Sequence, residues 1–370
     1  MNKRSIILAA LAMGSVSLPG MAFAQYGNSP FYDHTVELSQ AYGLEVIGLR
    51  LDLAAAFSPP YDDELAETIE GVTGAALARF SGTLEDRDPE LATALAAALD
   101  EVAEIAEGES DEDPAEAIAE ARELLEQAYA VVIPAELRDQ AAFKGGVIIN
   151  LLLAEGGVAE GYEEAVENNE PWEYPNGWAA LQRVKALWEE VKDSASAERL
   201  ADGQEMLDLL DTLYPEAQPP AVVAGLNPEE AESPAQRLGG IVEEVTDADL
   251  YPDRDLPKLM GHLAEMTTAA CAVYPQNADI AAESIYAVYD LFATHLADVS
   301  GMFAPELQEN ASELFGSMIV AEDDDDDDDG AASAEDEEED DDGDDDQLSG
   351  TDACGELAEA FTELRAVLGG

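Results

Sequence analysis

Basic residues are scarce in this sequence. Only 16 Lys and Arg residues accompany 83 Asp and Glu residues, which gives a formal net charge of −67 at pH 7. Nucleic acids and anionic membrane surfaces are bound through patches of Lys and Arg, so we expect this chain to bind neither. The same negative field attracts cations, and it favours cations or a basic protein as partners.

Long apolar runs are absent as well. No stretch after residue 24 reaches the roughly 18 uninterrupted apolar residues that a membrane-spanning helix needs. Residues 1–24 resemble a secretory signal peptide, because Lys3 and Arg4 precede an apolar core and the sequence Ala-Phe-Ala stands directly before Gln25. We therefore expect a secreted, periplasmic protein with no membrane insertion after signal cleavage. An uncleaved N-terminal anchor is the alternative.

Cysteine is also rare, with Cys271 and Cys354 as the two copies in the sequence. In an exported protein this number favours one disulfide bond between them. The bond would close a loop of 83 residues, for which the chain-entropy model gives a stabilisation of roughly 4.5 kcal/mol. Two free thiols are the alternative.

Acidic residues are concentrated between Glu322 and Asp346, where they occupy 19 of 25 positions. Such a segment repels itself and cannot bury enough apolar surface to offset its ordering entropy, so we predict a disordered acidic loop at 322–350. The chain then resumes as an amphipathic segment, which predicts a C-terminal helix at 351–370 docked on the core. Adaptation to high salt and a dedicated cation-binding role both explain the acidity.

Apolar residues recur at helical spacing through most of the chain. Asp88 and Asp113 are N-cap residues that each precede a proline at the first helical position. The predicted fold class is all-α, a multi-helix bundle of about twelve helices. Besides the two helices that follow these caps, they cover Asp33–Phe57, Asp62–Phe80, Ala135–Asn168, Gly177–Val191, Ser196–Leu213, Pro228–Val245, Pro257–Val273, Ala278–Val299, Pro305–Ile319 and Gly355–Leu368.

Two details of this bundle need a choice. The alternation from Leu44 to Leu53 also fits a strand, but no neighbouring segment offers a partner strand, so we predict a helix. The Pro-rich stretch from Pro215 to Pro220 predicts a boundary between helical lobe 1 at 25–214 and helical lobe 2 at 221–321.

Histidine occurs three times, and each copy has an acid three residues later: His34 with Glu37, His262 with Glu265, and His295 with Asp298. On a helix this spacing puts imidazole and carboxylate on one face, where they can share a metal ion. The pairs of His262 and His295 lie on successive predicted helices, so we expect these two to converge. Such a ligand set suits iron, zinc or manganese. Surface pairs that only support their own helices are the alternative.

One short segment carries a family resemblance. Residues 259–265, Leu-Met-Gly-His-Leu-Ala-Glu, resemble the Gly-x-His-x-x-Glu element of imelysin-type helical periplasmic proteins, with the glycine directly before His262 instead of two residues earlier. Residues 155–165 similarly resemble the acidic helical periplasmic segments fused to bacterial iron permeases. These resemblances imply a role in iron uptake and a membrane transporter as partner.

Three functions follow as hypotheses. The first is a non-enzymatic, exported protein that binds cations and is accessory to transition-metal uptake. The second is a salt-adapted helical interaction or scaffold module without a metal site, and the third is a zinc-dependent hydrolase.

Two tryptophans, Trp178 and Trp188, lie ten residues apart on one predicted helix. We predict that they are core residues, and a recognition patch is the alternative.

Overall fold

The described part of the chain is helical. The computed structural model describes residues 35–294 and 350–367, apart from residues 58, 62, 111, 155, 168–170, 172, 221–225, 249, 251–255 and 276. Over these ranges there is no strand. The predicted all-α fold class is therefore confirmed. The predicted signal peptide, the helix over 305–319 and the acidic loop lie outside the described residues, except Gly350 at the loop's end.

The helices follow one another through short connections. In chain order they are α1 (Thr35–Ala56), α2 (Asp63–Glu70), α3 (Ala75–Ala78), α4 (Ser81–Arg87), α5 (Pro89–Glu107), α6 (Pro114–Val132), α7 (Ala135–Arg138), α8 (Ala141–Leu153), α9 (Val158–Glu167), α10 (Glu173–Val191), α11 (Ala197–Leu213), α12 (Glu232–Thr246), α13 (Leu256–Val273), α14 (Ala278–Thr294) and α15 (Gly350–Val367).

The two predicted aspartate caps are confirmed. The Asp88 side chain accepts a hydrogen bond from the Leu91 backbone N–H, and the Asp113 side chain accepts one from Ala115. The apolar stripe of α5 is buried, as the spacing predicts, from Leu91 to Ile105. Local capping and apolar periodicity therefore determine this helical hairpin.

The predicted continuous helix over Ala135–Asn168 is wrong, because the structure divides it into α7, α8 and α9. One break contains Gly156, whose φ of +72° is a left-handed conformation that suits glycine. The predicted helix over Asp62–Phe80 is likewise interrupted, between α2 and α3, by the 3-10 turn Gly71–Thr73. Apolar spacing continues across both interruptions and hides them.

Helix α10 begins at Glu173, between Pro171 and Pro175. Pro175 therefore lies in the first helical turn, where its missing N–H has no intrahelical partner to lose. Pro234 occupies the corresponding turn of α12, which begins at Glu232. A proline thus marks the start of each helix instead of interrupting it.

Helix α1 lies at the centre of the bundle. It packs against α6, α8, α10 and α14, and its residues from Leu38 to Glu45 are all buried. A helix that is apolar on most of its circumference belongs in a core. The alternation from Leu44 to Leu53 therefore reflects burial on several sides of a helix, and the choice of helix over strand is confirmed.

The helices on either side of the Pro-rich stretch are in contact. Helix α12, which follows it, packs against α8 and α11, which precede it. Near the C-terminus, α15 buries Leu357 and Phe361 completely and packs along α13. The division into two lobes at residues 215–220 stays a prediction.

One apolar segment within the described ranges, Ala141–Glu167, satisfies the length and composition of a membrane span. Its most apolar window is 65% buried inside the protein. Core helices pass the same test, and the segment is divided between α8 and α9, so it is weak evidence for a membrane span.

Close helix approaches provide a test of this packing. A Cβ atom on Gly161 would lie 2.9 Å from both the Glu173 carbonyl oxygen and the Gly177 backbone nitrogen. Because backbone atoms cannot move aside easily, we expect Gly161→Ala to lower the free energy of unfolding by about 1–3 kcal/mol, measured by urea denaturation. Gly240 on α12 has open space around its Cβ position, so Gly240→Ala is the control and should raise stability by about 0.5–1 kcal/mol. Equal effects of the two substitutions would contradict the close approach of α9 to α10.

Candidate functional site

The histidine pair on α13 occupies two different environments. His262 is 2% exposed, whereas Glu265, one turn later, is exposed. Helix α15 covers this part of α13, because a Cβ on Gly261 would lie 3.1 Å from a guanidinium nitrogen of Arg365. The spacing of three residues therefore does not give the two side chains a common solvent-exposed surface. The Arg365 guanidinium adds a positive charge next to Gly261, the residue before His262.

The other predicted metal ligands are only partly described. Glu37 is half-buried on the first turn of α1, while His34, His295 and Asp298 lie outside the described residues. In the part of the chain that the structure describes, no three His, Cys, Asp or Glu side chains form a group that could hold a metal ion. The convergence of His262, Glu265, His295 and Asp298 stays a prediction.

The predicted disulfide involves helices that contact each other. Cys271 on α13 is disulfide-bonded, and no described cysteine is free. Helix α15 carries Cys354, the second cysteine of the sequence, and α13 and α15 form the most extensive helix contact of the described part. The side chain of Cys354 lies outside the described residues, so the pairing stays a prediction.

A buried carboxylate lies where α1, α4 and α14 meet. Glu283 is 1% exposed, and its Oε1 accepts a hydrogen bond of 2.6 Å from the Thr83 backbone N–H. Its Oε2 accepts from the Thr83 hydroxyl and, at 2.9 Å, from the Gln40 amide. Burial raises the pKa of Glu283 to about 7, although these hydrogen bonds and the nearby Arg87 charge act to lower it.

Sequence reasoning did not single out this cluster. Its three residues are 43 to 243 positions apart, so no local motif joins them. One signal was available: Glu283 lies on the face of α14 that also buries Ala287, among mostly apolar neighbours. With 1% exposure the carboxyl group does not meet solutes directly. Its chemistry in this conformation is to hold or release a proton while it links three helices.

A second buried acid is neutralised by an ion pair. Glu45 on α1 accepts bonds from Arg183 Nε at 2.6 Å and from Arg183 Nη2 at 2.7 Å, so the contact between α1 and α10 is bidentate. The charge of Glu45 also acts with burial to raise the pKa of the neighbouring Tyr129. This pair is structural, because both charges of the contact are satisfied by each other.

Most described basic residues likewise contact an acceptor within the protein. Arg87 donates to the Val131 and Val132 carbonyl oxygens at the end of α6. Further bases contact carboxylates: Arg122 with Asp52, Lys144 with Glu190, Lys185 with Asp211, Lys192 with Glu189, and Arg199 with Asp202 and Glu244. Because the sequence has only 16 bases against 83 acids, ion pairs can neutralise only a minority of its carboxylates.

Comparison with known proteins does not assign a function. No protein-family model matches the chain, and searches of curated proteins and of solved structures found no similar protein. The resemblance to imelysin-type proteins therefore stays a prediction that rests on His262 and Glu265.

The buried carboxylate gives a pH-dependent prediction. An unfolded Glu has a pKa near 4.3, so the folded chain binds an extra proton between about pH 4.5 and 7 when the pKa is about 7. Binding of this proton favours the folded state. Its contribution to the free energy of unfolding is complete below the unfolded pKa and is lost as the pH rises through 7. Glu283→Gln, which is always neutral, should gain stability relative to the wild type by roughly 2–3 kcal/mol between pH 5 and pH 8.

Denaturation in urea at both pH values measures this difference. Glu126→Gln is the matched control, because Glu126 is exposed on α6 and its substitution removes the same charge. If the free energies of unfolding of the two variants, each relative to the wild type, change equally between pH 5 and pH 8, Glu283 does not hold the extra proton.

Proposed function

We propose that this chain is an exported, non-enzymatic helical protein that binds cations through its acidic surface and is accessory to transition-metal uptake. The observation that carries the proposal is the use of the scarce bases in contacts inside the fold, which leaves most of the 83 acids uncompensated. Such a surface raises the local concentration of cations.

The ligand chemistry narrows the cation. Carboxylates are hard oxygen ligands, and the addition of imidazole shifts the preference toward iron, zinc or manganese. His262 with Glu265 and His295 with Asp298 are the proposed specific ligands, with His34 and Glu37 as a further pair. The 19 acids between Glu322 and Asp346 would concentrate cations near these ligands or contact a basic surface of a membrane transporter.

The salt-adapted scaffold is the second candidate, and one observation favours it. The described residues contain no group of three metal-binding side chains, although the buried His262 does not fit the surface histidine pairs that this candidate expects. In this alternative the acidic surface keeps the protein dispersed in high salt and the histidines only support their helices. No observation favours the zinc hydrolase, because the described residues contain no group of three side chains that could hold the zinc ion.

Metal titration separates the two candidates. Isothermal titration calorimetry with Fe²⁺, Zn²⁺ and Mn²⁺ at 0.15 M salt should show a saturable site in the wild type. His262→Ala should weaken metal binding at least tenfold. Removal of a residue that only hydrogen-bonds to a metal ligand already lowers affinity by tenfold or more, and removal of the ligand itself should cost at least as much. Deletion of residues 322–346 should lower the number of weakly bound cations.

Thr267→Ala provides the control for this titration, since Thr267 is also polar and completely buried on α13. It should leave metal affinity unchanged, which distinguishes a lost ligand from a perturbed helix. A wild type without a saturable site, or equal affinity in wild type and His262→Ala, would support the scaffold candidate instead.

Export can be tested separately. When the full chain is expressed in a Gram-negative bacterium, N-terminal sequencing of the periplasmic fraction should give Gln25 as the first residue, because cleavage is predicted after Ala24. A chain that retains Met1, or one that stays in the cytoplasm, would contradict the predicted signal.

A further inference from the structure

A groove of about 680 Å³ lies between α10 and the C-terminal end of α11 with the chain segment that follows it. Trp178, Gln182 and Lys185 line the α10 side at positions i, i+4 and i+7, so they share one face of that helix. Asp211, Tyr214 and residues 215–217 line the opposite side. The groove is open to solvent and combines an aromatic wall with polar side chains.

The floor of this groove is held in place by the tyrosine at the end of α11. Tyr214 is 1% exposed, and its hydroxyl donates to the Val158 carbonyl oxygen at 2.8 Å. Its ring packs against Tyr174 with a centroid distance of 4.8 Å. A Cβ on Gly177 would overlap the Tyr214 hydroxyl, so glycine is required at that position. The groove is therefore shaped before any ligand arrives.

The charges around the groove favour a positive ligand. Lys185 Nζ contacts both Asp211 carboxylate oxygens at 2.8 Å, so the charges of these two residues nearly cancel each other. The exposed Glu216 adds a carboxylate to the lining, and α11 ends beside it at Leu213 with the partial negative charge of a helix C-terminus. The net charge of −67 repels anions from the whole surface.

The half-buried Trp178 provides an aromatic face, which an organic cation can contact and which a simple metal ion does not need. An indole face attracts an ammonium or guanidinium group within about 6 Å of its centroid, and it also packs against the aliphatic part of such a ligand. We propose that this groove binds an organic cation, with Trp178 as the ring that contacts it, Glu216 as its counter-charge and Gln182 as a hydrogen-bond acceptor. This inference is independent of the metal-uptake proposal, because it uses none of the histidines or the acidic loop.

The test uses n-pentylammonium as the cation and n-pentanol as its neutral counterpart. Both are titrated into the full chain at 0.15 M salt, where unspecific attraction is screened, while NMR monitors the three tryptophan indole N–H signals. We expect n-pentylammonium to shift one signal, assigned to Trp178 by Trp178→Phe, in a saturable manner. Glu216→Gln should weaken this binding about threefold to fivefold.

Glu205→Gln is the matched control, because Glu205 is exposed on α11 and lies outside the groove lining. It should leave the affinity unchanged. Equal affinity for n-pentanol, simultaneous shifts of all three indole signals, or equal weakening by Glu205→Gln and Glu216→Gln would each overturn the proposal. Because Glu216 is exposed, its substitution tests the site without disturbing the core.

Discussion

Like charges repel one another, and a chain with 83 acids and 16 bases can fold only where apolar burial outweighs this repulsion. The central helix α1 shows how: its residues from Leu38 to Glu45 are all buried, and the one charge among them is paired with Arg183. Exposed ion pairs contribute at most about 1 kcal/mol each, so the bases do not supply the bulk of the stability. Their effect is geometric, since they join helices that approach each other: α8 to α10 through Lys144, and α11 to α12 through Arg199.

This use of the bases has a consequence for recognition. A diffuse excess of carboxylates produces a field that any cation feels, and salt screens it over about 8 Å at physiological ionic strength. Selectivity needs a feature with a fixed shape in addition. The groove at Trp178 is such a feature with an aromatic wall, whereas His262 is enclosed by the contact between α13 and α15. The field and the groove therefore act at different levels, the first on ion concentration and the second on ligand identity.

The sequence predicted the features that depend on near neighbours in the chain. The caps at Asp88 and Asp113 and the buried stripe of α5 belong to this group. The division of 135–168 into three helices was missed, because apolar spacing continues through the turn at Gly156. The Glu283 cluster was missed for a different reason, since Gln40 and Thr83 are far away in sequence. Trp178 and Trp188 had the same predicted environment, yet only Trp188 is fully buried, because α11 ends at Leu213 and leaves Trp178 beside an open groove.

The acidic stretch between Glu322 and Asp346 is followed in the chain by a helix that packs on the core. Helix α15 resumes after the stretch and returns to α13, where Leu357 and Phe361 are completely buried. In the sequence the stretch lies between α14, which ends at Thr294, and α15, which begins at Gly350, so described helices precede and follow it. If the bonded Cys271 is joined to Cys354, the attachment of α15 to α13 becomes covalent and survives local opening of α15. Under the metal-uptake proposal, cations attracted by the stretch would be concentrated near α13, the helix that carries His262 and Glu265, so the proposed ligands and the acidic stretch belong to one functional hypothesis.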